Sequence, residues 1–271
     1  MKSYRNLIFS FMFLLTLIVF VITREGFAEV GPLGFGYAEL HEPMSTDRPD
    51  FTESTKTIQR GHLQGEFGYR YTRDNKRDFK QEAIPEGLLR IGVTDLLELR
   101  LSAQGLKGTD SDFALGDLTI GTKIKLYEAC DCNFDLSTII DVTLATGAKR
   151  YSQEKTSSQL SFLWSYHEDT DWALAGQVNL NAAVERREHY FQPSSSIALS
   201  YELTDRLGVY TEYYGFYPRG SHAPSTAPEH YVNGGVTYLL HPNLQLDLLV
   251  GVGLNGRADD SFIGSGITFR L

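Results

Sequence analysis

The sequence predicts an all-β fold, a transmembrane antiparallel up-and-down β-barrel of twelve strands. Three observations carry that expectation. From Gly61 onward apolar and polar residues alternate with a period of two rather than 3.6, as in strands with one apolar face. The polar connections between these stretches are short and long in turn, like the periplasmic turns and external loops of membrane barrels. Beyond Ile22 no apolar run is long enough for a helix to cross a bilayer, so the chain cannot be a helical bundle. A barrel tolerates so polar a composition because only every second residue meets lipid.

At the N-terminus, Lys2 and Arg5 precede an apolar run from Leu7 to Ile22, and Gly26-Phe27-Ala28 follows. A basic head, an apolar middle and small residues at −3 and −1 describe a secretory signal over residues 1–28, cut after Ala28. The rival reading is a retained membrane helix, but the run of about 16 residues falls just short of the ~17 that span a bilayer. Residues 29–60 precede the first strand and show little periodicity. They contain a charged knot, Asp47-Arg48-Pro49-Asp50 with Glu53. Two readings of this segment stand side by side. It folds into the lumen as a plug, with Arg48 on acidic residues and Asp47 or Asp50 on basic ones, or it hangs as a periplasmic tail.

The barrel is expected over residues 61–271. Its first strand sets Leu63, Phe67, Tyr69 and Tyr71 against His62, Gln64, Glu66 and Arg70. A second runs around Leu89, Ile91 and Val93, and a third alternates Leu97, Leu99 and Leu101 with Glu98, Arg100 and Ser102. Leu118, Ile120, Ile124 and Leu126 mark the fourth, and Phe134, Leu136, Ile140, Val142 and Leu144 the fifth. The next stripes hold Leu160 to Tyr166, Trp172 to Leu180, Ile197 to Tyr201, Leu207 to Tyr213 and Val232 to Leu240. Leu244 to Leu254 is the cleanest stripe, and Ile263 to Leu271 ends the chain inside a strand. Tight turns fall near Thr94-Asp95, Cys130–Asn133, His167–Asp171, Thr204-Asp205 and His241–Asn243. Longer loops fall near 73–83, 106–114, 147–157, 185–192, 218–229 and 255–261. An even strand count leaves both chain ends on the periplasmic side. Trp164, Tyr166, Trp172 and Tyr201 sit beside expected short turns, as an interfacial aromatic girdle does.

Parity also sorts the charges. The expected lumen lining is Arg70, Arg90, Arg100, Lys123 and Lys125 on the early strands, against Glu66, Glu98 and Asp117. On the later strands it is Asp135, Asp141, Glu202, Glu212 and Asp247, opposed by Arg270 alone. Basic and acidic walls would then create a transverse field across an aqueous path. The alternative is a sealed set of ion pairs that fills a narrow barrel. Net charge is −9, and loss of Lys2, Arg5, Arg24 and Glu25 with the signal removes +2, leaving about −11. So acidic a surface excludes nucleic acid as a partner.

Cys130 and Cys132 form a lone Cys-x-Cys, read as a turn with an optional disulfide or half of a metal site, and no further Cys completes a cluster. No cofactor or metal is expected. A barrel phospholipase would need a Ser–His pair on the outer rim. Only His230 has outward parity there, with Thr211 and aliphatics beside it, so no catalytic residue is expected.

Three stretches carry a family resemblance: TDRPDFTES from Thr46 to Ser54, GHLQGEFGYRY from Gly61 to Tyr71, and ALGDLTIGTKIKL from Ala114 to Leu126. The chain resembles the MetA-pathway phenol-degradation family, Gram-negative outer-membrane proteins described as transporters. The resemblance implies an outer-membrane location reached through the assembly machinery, the lipid bilayer as partner, and passage of small solutes, aromatic ones included. Two other classes stay open: a structural or adhesive barrel without transport, and a membrane-embedded lipid-modifying enzyme.

Overall fold

The computed structural model describes residues 43–108, 113–128, 133–167 and 171–271. The expected signal segment, residues 29–42 and the Cys130/Cys132 pair lie outside the described residues.

Twelve antiparallel strands form the wall: β1 Leu63–Asp74, β2 Phe79–Thr94, β3 Leu97–Gly108, β4 Leu118–Glu128, β5 Phe134–Leu144 and β6 Ser157–His167, then β7 Trp172–Glu185, β8 Glu188–Thr204, β9 Leu207–Phe216, β10 Glu229–His241, β11 Leu244–Gly253 and β12 Ser261–Arg270. Each pairs with the next, and β12 returns to β1 in the register Gln64↔Arg270 through Arg73↔Ser261, which closes the barrel. Leu271 adds a last rung, its backbone exchanging hydrogen bonds of 2.8 and 3.0 Å with Leu63. Closure leaves no free sheet edge, which a bilayer requires. One extra two-residue strand, Ala114–Leu115, pairs with the end of β3 at Gly105 and Leu106.

The expected parity holds around the wall. On β11 Leu246, Leu248 and Val250 point outward and are exposed, while Gln245 and Asp247 are buried inside. Leu99, Leu101, Ile120, Ile140, Phe162, Ile197 and Ile263 join the outward belt. A soluble surface would not leave so many large apolar side chains in water, and this belt is the face that lipid covers. The Trp172 and Tyr201 rings lie 4.5 Å apart, tilted at 43°, near the short β8–β9 turn. Trp164 lies across its cross-strand partner Gly176, where an added Cβ would come within 2.7 Å of the ring, so glycine makes room for the indole on the outer face.

Several strands are longer than alternation indicates. The loops expected near 73–83 and 185–192 shrink to turns at residues 75–78 and at Arg186-Arg187. Beyond the lipid both faces of a hairpin meet water, so polar residues fill both parities and the alternation fades while the ladder continues. At the β7–β8 tip Glu185 pairs with Glu188, and Arg186 and Arg187 have φ of 49° and 65°, the left-handed pair of a two-residue hairpin turn. Arg187 donates to both Glu154 oxygens, at 2.7 and 2.9 Å, and these bonds hold the Glu154 carboxyl below the usual carboxylate range.

Residues 43–60 run through the interior. Their side chains and backbone bond to inward-facing groups on β1 through β9 and on β11, and Arg48 also reaches a β12 carbonyl. A segment that touches nearly the whole circumference of a closed barrel from within lies in its lumen.

Candidate functional site

The lumen is built from four polar nodes and one aromatic node, each joining the wall to residues 43–60. The first centres on Asp47. Its carboxylate accepts from Lys123 Nζ at 2.8 and 2.9 Å and from Arg100, and Arg90 Nε lies 3.4 Å away. Arg90 in turn donates to Glu98 at 2.8 and 2.9 Å and to Glu66 at 3.1 Å. The backbone N–H groups of Asp47 and Arg48 both donate to Glu66 at 3.0 Å, and Glu53 meets Arg100. Asp47, Glu66, Arg90, Glu98, Arg100 and Lys123 are all buried. Alternation places these charges on inward positions of β1 to β4, and the segment brings the carboxylate their cations share.

Arg48 makes the second node. It donates to Glu86 at 3.0 Å and to Asp247 at 3.2 Å, while Arg70 Nε stands 3.1 Å from the other Glu86 oxygen. At the third node the buried Glu212 carboxylate accepts from the backbone N–H of Phe51 at 2.8 Å, the backbone N–H of Thr52 at 2.6 Å, and Asn233 at 2.6 Å. Beside it the Phe51 ring stacks on Tyr214 at 4.6 Å and 8°, with Phe216 edge-on at 5.4 Å. Tyr231 continues the stack at 4.9 Å from Tyr214, and Phe262 closes the cluster. Nearer the chain-end rim, Lys56 bridges Glu128 at 2.7 Å and Asp135 at 3.0 Å, and Lys125 joins Glu128 at 2.9 Å.

The ten lumen candidates therefore separate into groups. Arg90, Arg100, Lys123, Glu212 and Asp247 lie buried against residues 43–60, and Asp135 reaches it through Lys56. Arg70 and Asp141 are half-buried and inward, and Lys125 pairs near the rim. Glu202 is exposed three residues before the β8–β9 turn and joins none of these nodes, because its inward parity comes too close to the strand's end to reach the interior. Asp117 serves a loop instead, accepting from the N–H groups of Gly147 and Gln153. Of the knot residues, Asp47 and Arg48 take charged partners, whereas Asp50 makes no ion pair among the described residues. The basic and acidic walls do not face each other across open water. Asp47 stands against the first, and Arg48 with two backbone N–H groups stands against the second.

Two cavities flank the segment on the side of the long loops. The larger, about 510 Å³, reaches from Arg48 and Asp50 to Gln104, Asp117, Tyr151 and Gln153. The smaller, about 260 Å³, is bounded by Asp47, Asp50, Glu53, Arg70 and Phe216 and by a wall of carboxamides on β6 to β8. Charge sorting misses that wall, since Gln159, Gln177, Asn179, Asn181 and Gln192 are neutral, yet each stands on the inward parity that alternation assigns. The interior rings are missed in the same way, because aromatic residues are read as lipid-facing by default. The outward-facing His230 has its Nδ1 2.7 Å from the Tyr213 hydroxyl.

Residues 46–271 match the family model described as "Putative MetA-pathway of phenol degradation". Comparison with curated proteins returns no match. Among solved structures the chain is similar to the COG4313 outer membrane channel from Pseudomonas putida F1, with TM-score 0.63 and 15% identity over 82% of this chain and 100% of that one. It is also similar to the KdgM porin, solved alone and with disordered oligogalacturonate, with TM-score 0.52 and 10% identity over 75% and 98% of the two chains. The translocator domain of the autotransporter NalP from Neisseria meningitidis has TM-score 0.50 and 9% identity over 77% and 87%. At these identities the likeness is one of fold, a closed outer-membrane barrel.

Proposed function

The chain belongs to the MetA-pathway phenol-degradation family, and from that premise we propose that it is an outer-membrane channel for small organic solutes, closed at rest by residues 43–60. The observation that carries this reading is how the segment is held. Beside the buried Ile58, it is held to the wall by hydrogen bonds, ion pairs and the Phe51 ring contacts, which water or a solute can replace. A barrel that served only as a scaffold could fill its lumen with its own side chains, as narrow barrels do. Here a separate stretch of chain does so, and cavities open to the long-loop side end on it.

The aromatic node supports aromatic compounds among the solutes. Phe51 occupies a slot between Tyr214 and Phe216 with the stacked and edge-on geometry that aromatic pairs favour. A flat ring entering from the long-loop side would meet the same faces once Phe51 moved away. Lumen charges would then set which ions accompany it. Conductance in planar bilayers tests the proposal. Loosening residues 43–60 should raise it well above that of the intact protein. Silence in both states would leave a structural barrel.

A further inference from the structure

We propose that the carboxamide wall of the smaller cavity is a binding site for neutral polyhydroxylated solutes, the saccharide class, at the long-loop side of residues 43–60. The inference rests on the channel reading above, since the site lies on the path that reading assigns.

Register stacks the wall in tiers. Gln159, Asn181 and Gln192 stand side by side on β6, β7 and β8, and Ser161, Asn179 and Ser194 form the next tier inward. No charged side chain interrupts either tier. A carboxamide offers two donors and an acceptor, which matches hydroxyl groups that both donate and accept. Charged groups would instead select ions of opposite sign.

Two observations support a ligand at this wall. Asn179 is buried, its amide nitrogen is 2.9 Å from the Ser194 hydroxyl, and its amide oxygen has no partner. Whichever way the carboxamide is turned, one end of it stays without a partner beside the cavity that Asn179 lines, and a buried polar atom left so is costly. The Asn181 and Gln192 side chains also make no hydrogen bond among the described residues, although both line the cavity. The rest of the lining includes Asp47, Asp50 and Glu53, three carboxylates against the single guanidinium of Arg70, and the Phe216 ring. A carboxylate accepts from adjacent hydroxyls and a ring face packs against the C–H face of a sugar, whereas both disfavour an anion. At about 260 Å³ the cavity sits just below the ~300 Å³ where drug-sized pockets begin, which fits one sugar ring.

The test is a ligand-observed NMR titration of the full-length protein in detergent micelles with glucose, phenyl β-glucoside, galacturonate and phenol. Glucose and phenyl glucoside should bind saturably and more tightly than galacturonate. The double variant Asn181→Ala with Gln192→Ala should weaken both by roughly tenfold, the loss expected for two hydrogen bonds, and leave phenol unchanged. Neither side chain makes a hydrogen bond among the described residues, so the barrel should fold normally, as its heat-modifiable gel mobility will show. The single variant Gln192→Ala is the fallback and should give a partial loss. Binding of phenol alone, or sugar affinity untouched in a folded variant, would overturn the proposal. The channel reading fails separately, by absence of conductance when residues 43–60 are loosened, whatever the sugars do.

Discussion

Replacing Asp47 by asparagine removes the one carboxylate on which Arg90, Arg100 and Lys123 converge. The cations stay on the wall and the lost partner belongs to the segment, so the penalty falls on docking rather than on the barrel. Breaking a buried ion pair by removing one partner costs about 3–5 kcal/mol. Asparagine keeps an oxygen that can still accept from the backbone N–H of Ser54, 3.0 Å away in the intact protein; Glu66, Glu98 and Glu53 still serve Arg90 and Arg100, and Lys123 keeps the Ser54 carbonyl at 2.8 Å. The lower end is therefore the better guide, and about 3 kcal/mol is roughly a hundredfold change in the ratio of docked to released segment. Single-channel recording at fixed voltage should show open events on the order of a hundred times more often in Asp47→Asn than in the wild type. The gel mobility of the folded barrel should not change. If the variant conducts no more than wild type but loses its folded mobility, Asp47 serves barrel stability and the gating argument is wrong.

Other consequences follow from the same contacts. Leu248→Arg places a charge on the exposed lipid face and should destabilise the barrel by roughly 2–4 kcal/mol in urea titrations in lipid, while Gln245→Ala, facing inward, should cost much less; equal penalties would contradict the assignment of faces. Phe51→Ala removes a stack worth about 0.5–1.5 kcal/mol beyond the buried area, so it should raise open frequency and at the same time free the Tyr214 ring for phenol, read as a gain in phenol binding by ligand-observed NMR. Glu212→Gln should loosen the segment, because the carboxylate accepts from two of its backbone N–H groups, whereas Glu202→Gln, exposed near the rim, should leave conductance and ion selectivity as they were.

The wall of this barrel is legible in the sequence and its filling is not. Strict alternation from Leu244 to Leu254 forces one face out and one in, so the outward Leu248 and the inward Asp247 follow from a period of two. The inward places of Arg90, Arg100, Lys123 and Glu212 follow in the same way. Residues 43–60 have no period to read, and their partners are remote. Thr52 bonds to Glu212 across 160 positions and Arg48 to Asp247 across 199. Nothing local encodes such contacts, so plug and tail are equally compatible with the charged knot. The carboxamide wall is a different kind of omission. Gln159, Asn179 and Asn181 lie on readable parities, but neutral side chains leave no mark when a lumen is sorted by charge alone.

A reversible tether tests whether residues 43–60 close the path. The Thr52 and Ser196 hydroxyl oxygens lie 2.6 Å apart, one on the segment and one on β8, so cysteines at the two positions are placed to form a disulfide across the lumen. In a background with Cys130 and Cys132 changed to serine and Asp47 to asparagine, the oxidised protein should be silent in planar bilayers. Adding reductant to the same membrane should then bring out the frequent openings of the Asp47 variant. Equal conductance before and after reduction would mean that solutes do not pass where this segment lies.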